Sequence, residues 1–281
     1  MFEAKRWVAF VIAVAMLSGS APAMAQEIVK FPASQPNEPT PVQLRAELYR
    51  PTGGGPHPAV VLMHGCSGWV PSARFALRGY AEDLRKRGFV VLNLDSFGPR
   101  YYSSEEMCPS IERLQRALSY RTTDAFDAAR FLRDRADVDA GNIFLFGQSN
   151  GGSVALKAAL VSTHDEYVKR RGYPAFRGVV AFYPWCGLLQ GITALAAPVQ
   201  VFSGGRDNWV SAQECSSVEA RGAEFNVKVY AEAMHSFDLD LIPHKYAGFM
   251  IGKDPAAAAD SRTRMMSFLT ANVRGSELSR R

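Results

Sequence analysis

The chain has 281 residues, 47% of them hydrophobic, and a formal net charge of +5. That length suits one large domain with a sizeable core. The basic residues are scattered and form no stripe of the kind a nucleic-acid-binding surface needs, and no stretch after Ala25 is long and apolar enough for a membrane span.

Residues 1–25 read as a secretory signal peptide. Lys5 and Arg6 make the basic start, Trp7 to Leu17 the short apolar core, and Ala23-Met24-Ala25 the small-x-small cleavage site. The alternative, an uncleaved anchor, fits the short apolar run poorly. Cleavage before Gln26 leaves residues 26–281 as one domain and exports it to the periplasm or beyond.

Residues 26 to 40 contain Pro32, Pro36 and Pro39 and read as an extended lead-in. Val42 to Tyr49 alternates apolar and polar, as a half-exposed edge strand does. Pro51 to Pro56 is a turn. Ala59 to Met63 is continuously apolar, the mark of a strand covered on both faces. Arg74 to Arg87 reads as a helix stopped by Gly88, and Phe89 to Leu94 as the next buried strand. Asp95 to about Met107 reads as irregular. Thr122 to Arg135 has Ala125, Ala128, Ala129 and Leu132 at helical spacing. Strands follow at Ile143 to Phe146, Val179 to Phe182, Val199 to Ser203 and Asn226 to Tyr230, with a helix at Ser211 to Arg221 and a closing helix at Asp260 to Val273. Strands alternating with helices predict an α/β fold: a mostly parallel, doubly wound sheet with helices on both faces.

The chemistry centres on Gly147-Gln148-Ser149-Asn150-Gly151. This Gly-x-Ser-x-Gly sits between an apolar strand and the helix-forming Ser153 to Leu160, the context of a nucleophile elbow. The glycines leave room for strand and helix to approach, so that Ser149 projects its hydroxyl. A serine needs a base, and the base an orienting acid. Asp207 follows the strand Val199 to Ser203, and His235 follows the strand Asn226 to Tyr230. Asp207 taken alone reads equally well as a helix cap. Asp238 is a rival acid, but it comes after the histidine. Ser149, Asp207 and His235 in that order, each after a strand, point to a catalytic triad.

Acyl transfer also needs donors for an oxyanion. The backbone N–H groups of Asn150 and Cys66 are the candidates. Cys66 lies in the loop His64-Gly65-Cys66-Ser67-Gly68 after an early strand, where His64 reads as a brace. Cys66 and Cys108 fall after predicted strands on one side of the sheet, and Cys186 and Cys215 after later ones. In an exported chain this placement favours the pairs Cys66–Cys108 and Cys186–Cys215 over free thiols. Trp69, Phe97, Tyr101, Tyr102, Tyr183, Trp185 and Trp209 lie in loops that rim such a site, where packing explains each as well as substrate contact does. Asp95 and Arg100 are placed to pair within their loop. Arg121 and Asp124 read as the opening of a helix, with Asp124 a favourable first-turn charge.

These segments, together with Asp95 to Arg100, Tyr183 to Gly187, Gly204 to Asp207 and His235-Ser236-Phe237, resemble the dienelactone hydrolase family of α/β-hydrolases, in particular its exported, cysteine-containing bacterial members. The resemblance covers most of residues 26–281 and implies the same three catalytic residues. It departs at the nucleophile: members that cleave dienelactone carry cysteine in the elbow, and this chain carries Ser149. The expectation is a serine hydrolase of carboxylic esters or lactones working through an acyl-enzyme. It needs no cofactor or metal, takes a small-molecule substrate and acts as a monomer. A peptidase, a polyester hydrolase of cutinase type and a catalytically silent binding protein on the same scaffold are the alternatives.

Overall fold

The computed structural model describes residues 26–34, 41–189 and 191–275; the expected signal peptide lies outside them. The chain runs β1 (Gln26–Pro32), β2 (Gln43–Tyr49), β3 (His57–Met63), α1 (Pro71–Lys86), β4 (Val90–Asp95), α2 (Ser104–Met107), α3 (Ile111–Arg133) and β5 (Val138–Gln148). It continues through α4 (Asn150–Ala159), α5 (Val161–His164), β6 (Val179–Phe182), β7 (Ile192–Ala194), β8 (Val199–Gly204), α6 (Ala212–Ser216) and β9 (Glu219–Arg221). It closes with β10 (Phe225–Tyr230), β11 (His244–Tyr246), β12 (Phe249–Ile251) and α7 (Pro255–Asn272).

Eight strands form one sheet in the order β1-β2-β4-β3-β5-β6-β8-β10. The first two pairings are antiparallel and the rest parallel. The period-2 alternation of a strand divides the core. Ala59, Val61 and Met63 of β3 join Ala125, Ala129, Val154 and Leu156 of α3 and α4 on one face. Val60 and Leu62 join Leu77, Leu84, Met265 and Leu269 of α1 and α7 on the other. This is the expected α/β fold, mostly parallel and covered on both faces.

Several boundaries differ from expectation. β2 is not an edge strand, because the lead-in before it pairs alongside as β1. α3 starts at Ile111, eleven residues before the expected Thr122, and is capped by Ser110. Leu114 and Leu118 of its first half line a cavity, and Leu118 also joins the core against the sheet. Arg121 and Asp124 are therefore buried mid-helix and open nothing. The helix expected from Ser211 ends at Ser216, and Glu219–Arg221 pairs with β7. Residues 95–107 are partly helical. Asp95 accepts from Arg45, and Arg100 grips Asp124 through two 2.9 Å hydrogen bonds, so these two do not pair with each other. Among the described residues no helix is long and apolar enough to cross a membrane.

Candidate active site

The turn between β5 and α4 holds Ser149 at φ 51° and ψ −119°, a region that L-residues rarely occupy. Close packing on every side over-determines it. A Cβ on Gly147 would collide with the backbone of Gly151, and one on Gly151 with the Met63 and His64 carbonyls at 2.5 Å. Ser149 N–H donates to the Phe182 carbonyl at 2.9 Å, tying the elbow to β6.

Three loops at the carboxyl ends of β5, β8 and β10 converge. Ser149 Oγ lies 2.9 Å from His235 Nε2, and His235 Nδ1 lies 2.7 Å from Asp207 Oδ2. An ionised carboxylate only accepts, which places a proton on Nδ1 and leaves Nε2 to accept from the serine hydroxyl. The other Asp207 oxygen accepts from the N–H groups of Trp209 and Val210 at 2.8 and 3.0 Å. Asp207 is thus fixed from both sides, and its side chain is 1% exposed. Tyr183 and Trp209 flank the His235 ring with centroids at 4.7 and 5.0 Å.

The rival Asp238 faces elsewhere. It accepts from Tyr183 and Gln148 at 2.6 Å and from Tyr80 at 2.9 Å, beneath the elbow. Burial raises its pKa, and those donors offset part of the rise.

The loop after β3 lies against Ser149. A Cβ on Gly65 would stand 3.3 Å from Ser149 Cβ. His64 is fully buried: its Nε2 accepts from Ser96 N–H at 3.2 Å, which leaves Nδ1 to donate to the Gly65 carbonyl at 2.7 Å. Burial and the neighbouring Arg121 charge push its pKa down to about 3, so it braces the loop as a neutral ring.

Arg121 is the residue the sequence reading misplaced. It is fully buried, and burial lowers its pKa to about 10. It donates to the His64 carbonyl at 2.6 Å and to Asn150 Oδ1 at 2.7 Å, with Phe97 stacked 4.7 Å away. One guanidinium therefore joins the loop after β3 to Asn150, the residue after Ser149. Disulfides Cys66–Cys108 and Cys186–Cys215 tether the same loop to α2 and the segment after β6 to α6.

Two cavities meet at Ser149. One, of about 200 Å³, runs past Cys66, Tyr183, His235, Leu239 and Ile251. The other, of about 340 Å³, lies under α3 between Leu114, Leu118, Trp185, Val210 and Phe249. Trp209 stands between them and lines both. Of the loop aromatics singled out above, Tyr183, Trp185 and Trp209 reach these cavities, while Phe97 is core and Tyr101 is 93% exposed.

A parallel sheet with a serine elbow, and with an acid and a histidine on later strand-end loops, defines the α/β-hydrolases. Within that class the chain belongs to the dienelactone hydrolase family, whose model matches residues 44–273. It is 27% identical over 217 residues to a Bradyrhizobium protein named "Probable 2-oxo-3-(5-oxofuran-2-ylidene)propanoate lactonase", across 68% of this chain and 78% of that one. Its fold is similar to a dienelactone hydrolase-like promiscuous phosphotriesterase, P91, from metagenomic libraries. That match has a TM-score of 0.64 at 20% identity and covers 87% of this chain and 98% of P91. It is also similar to Thermogutta terrifontis esterase 2 phosphorylated by paraoxon. There the TM-score is 0.59 at 17% identity, covering 89% and 95% of the two chains.

Proposed function

We propose that the protein is an exported serine hydrolase of carboxylic esters or lactones, with residues 26–281 forming one catalytic domain. The observation that carries this reading is the hydrogen-bonded relay from Ser149 through His235 to Asp207, at 2.9 and 2.7 Å. Ser149 Oγ attacks the carbonyl carbon while its proton passes to His235 Nε2. Asp207 holds the ring and its charge. The N–H groups of Asn150 and Cys66 stabilise the oxyanion. His235 then protonates the departing alcohol oxygen, leaving an acyl-Ser149 ester. Water repeats the sequence and releases the acid. Two disulfides support export to an oxidising compartment.

The test is labelling by paraoxon and turnover of a 4-nitrophenyl ester, with wild type beside Ser149→Ala. We expect stoichiometric phosphorylation of wild type alone and a loss of about 10³-fold or more in kcat for the variant. Unlabelled wild type would leave a binding protein on a hydrolase scaffold as the better reading, and undiminished turnover in Ser149→Ala would rule out this nucleophile.

A further inference from the structure

We propose that the substrate is an uncharged ester whose acyl part is a bulky apolar group, aryl or medium-chain alkyl, and whose alcohol part is compact. The inference rests on the hydrolase reading above and extends it to the substrate.

The first observation is which half goes where. His235 delivers the proton to the departing oxygen, and its ring lines the smaller cavity and not the larger. The alcohol therefore leaves through the smaller cavity, and the acyl chain lies in the larger one, against α3. The larger cavity, about 340 Å³, takes on the order of ten heavy atoms at about 30 Å³ each. Most of its lining is apolar, including Leu114, Leu118, Trp185 and Phe249, beside the neutral polar Gln115 and Ser153.

The second observation is charge. Among the described residues lining either cavity there is no Lys, Arg, Asp or Glu. The nearby Arg121 guanidinium cannot serve as an anchor, because it is fully buried and already committed to His64 and Asn150. A carboxylate carried into the acyl cavity would lose its hydration and gain no counter-charge. A neutral apolar chain gains from burial there, and the gain enters the transition state because the same chain is held throughout acylation.

Three methyl esters, followed by acid release in a pH-stat, test this: the acetate, the hexanoate and the carboxylate-ended counterpart of the hexanoate. Each buried methylene is worth about fourfold, so kcat/KM should rise at least tenfold from acetate to hexanoate. The carboxylate-ended ester should fall about 100-fold or more below the hexanoate. Leu114→Trp, which fills the cavity, should lower the hexanoate-to-acetate ratio about tenfold. Ile111→Lys puts a cation at the mouth of the cavity, on a side chain that is 72% exposed and so tolerant of exchange. It should raise the relative kcat/KM of the carboxylate-ended ester about tenfold.

A preference for acetate, or equal use of the charged and neutral chains, would overturn the proposal. An equal gain from lengthening the alcohol of an acetate ester would overturn the assignment of the two halves. Paraoxon labelling of Ser149 separates the failures. If Ser149 is labelled and these preferences are absent, only the substrate assignment falls; if it is not labelled, the hydrolase reading falls with it.

Discussion

Replacing Arg121 with methionine separates a positioning role from a structural one. Met has similar length and no charge. The change removes two short hydrogen bonds, to the His64 carbonyl and Asn150 Oδ1. Each buried acceptor left without its donor costs about 1–3 kcal/mol. Against that, burial pulls the guanidinium pKa down to about 10, well below its ordinary value. At 1.36 kcal/mol per unit, the fold spends about 3 kcal/mol keeping that charge in place, and methionine removes the expense. The two acceptors together cost about 2–6 kcal/mol, so the net change runs from a gain of about 1 to a loss of about 3 kcal/mol. At about 2–4 °C per kcal/mol, that lowers Tm by no more than about 10 °C. Activity has no such offset. The guanidinium joins the two backbone segments proposed to donate to the oxyanion, and losing one well-placed donor costs about 10²–10³ in kcat. Arg121→Met should therefore stay folded and lose about 100-fold in kcat, with KM changed less than about threefold. Arg121→Lys keeps the charge but cannot fork to both acceptors, and should recover less than about tenfold. Steady-state kinetics on a 4-nitrophenyl ester with a thermal melt reads both quantities. A kcat within threefold of wild type in a folded Arg121→Met would refute the reasoning.

Two further predictions follow from the frame around the elbow. Cys66–Cys108 closes 42 residues and Cys186–Cys215 closes 29. In the chain-entropy account each contributes about 4 kcal/mol, so replacing either pair with serines should lower Tm by about 10 °C. Only the first pair holds the loop that carries Cys66, so its loss should lower kcat at least tenfold more than loss of the second; equal kcat values would count against a role for that loop. His64 has a folded pKa depressed to about 3 from 6.5. The unfolded chain takes up this proton first as pH falls, so the stabilisation is complete above about 6.5 and is lost progressively on the way down to about 3. Between pH 7 and pH 5 the wild type should lose about 2 kcal/mol more than His64→Gln in urea unfolding; parallel pH profiles would contradict a neutral buried ring.

What could be read from the chain, and what could not, divides by the distance over which each signal acts. The elbow is a local pattern: four apolar residues from Ile143 to Phe146, then glycines on either side of Ser149 and a helix-forming run. Backbone sterics permit little else there. Asp207 and His235 are legible for the same reason, because each follows a buried strand that the residues themselves announce. The parallel sheet is legible from the alternation of strands and helices.

The residues around Ser149 are another matter. Arg121 meets Asn150 across 29 positions and His64 across 57, and nothing in the polar first half of α3 announces either contact. Asp95 and Arg100 look like natural partners five residues apart, yet the fold offers each a better one in Arg45 and Asp124. The start of α3 hides for a related reason: Leu114 and Leu118 continue the apolar face of Ala125 and Leu132, but Glu112, Arg113, Gln115 and Arg116 interleave with them and mask it. The sequence by itself determined the strand-and-helix order and the identity of the three strand-end residues, because those depend on local periodicity and turn chemistry. Only the tertiary structure decided which buried charges meet and that, among the described residues, no Lys, Arg, Asp or Glu lines the two cavities flanking Ser149. Those features depend on which distant surfaces the packed sheet brings face to face.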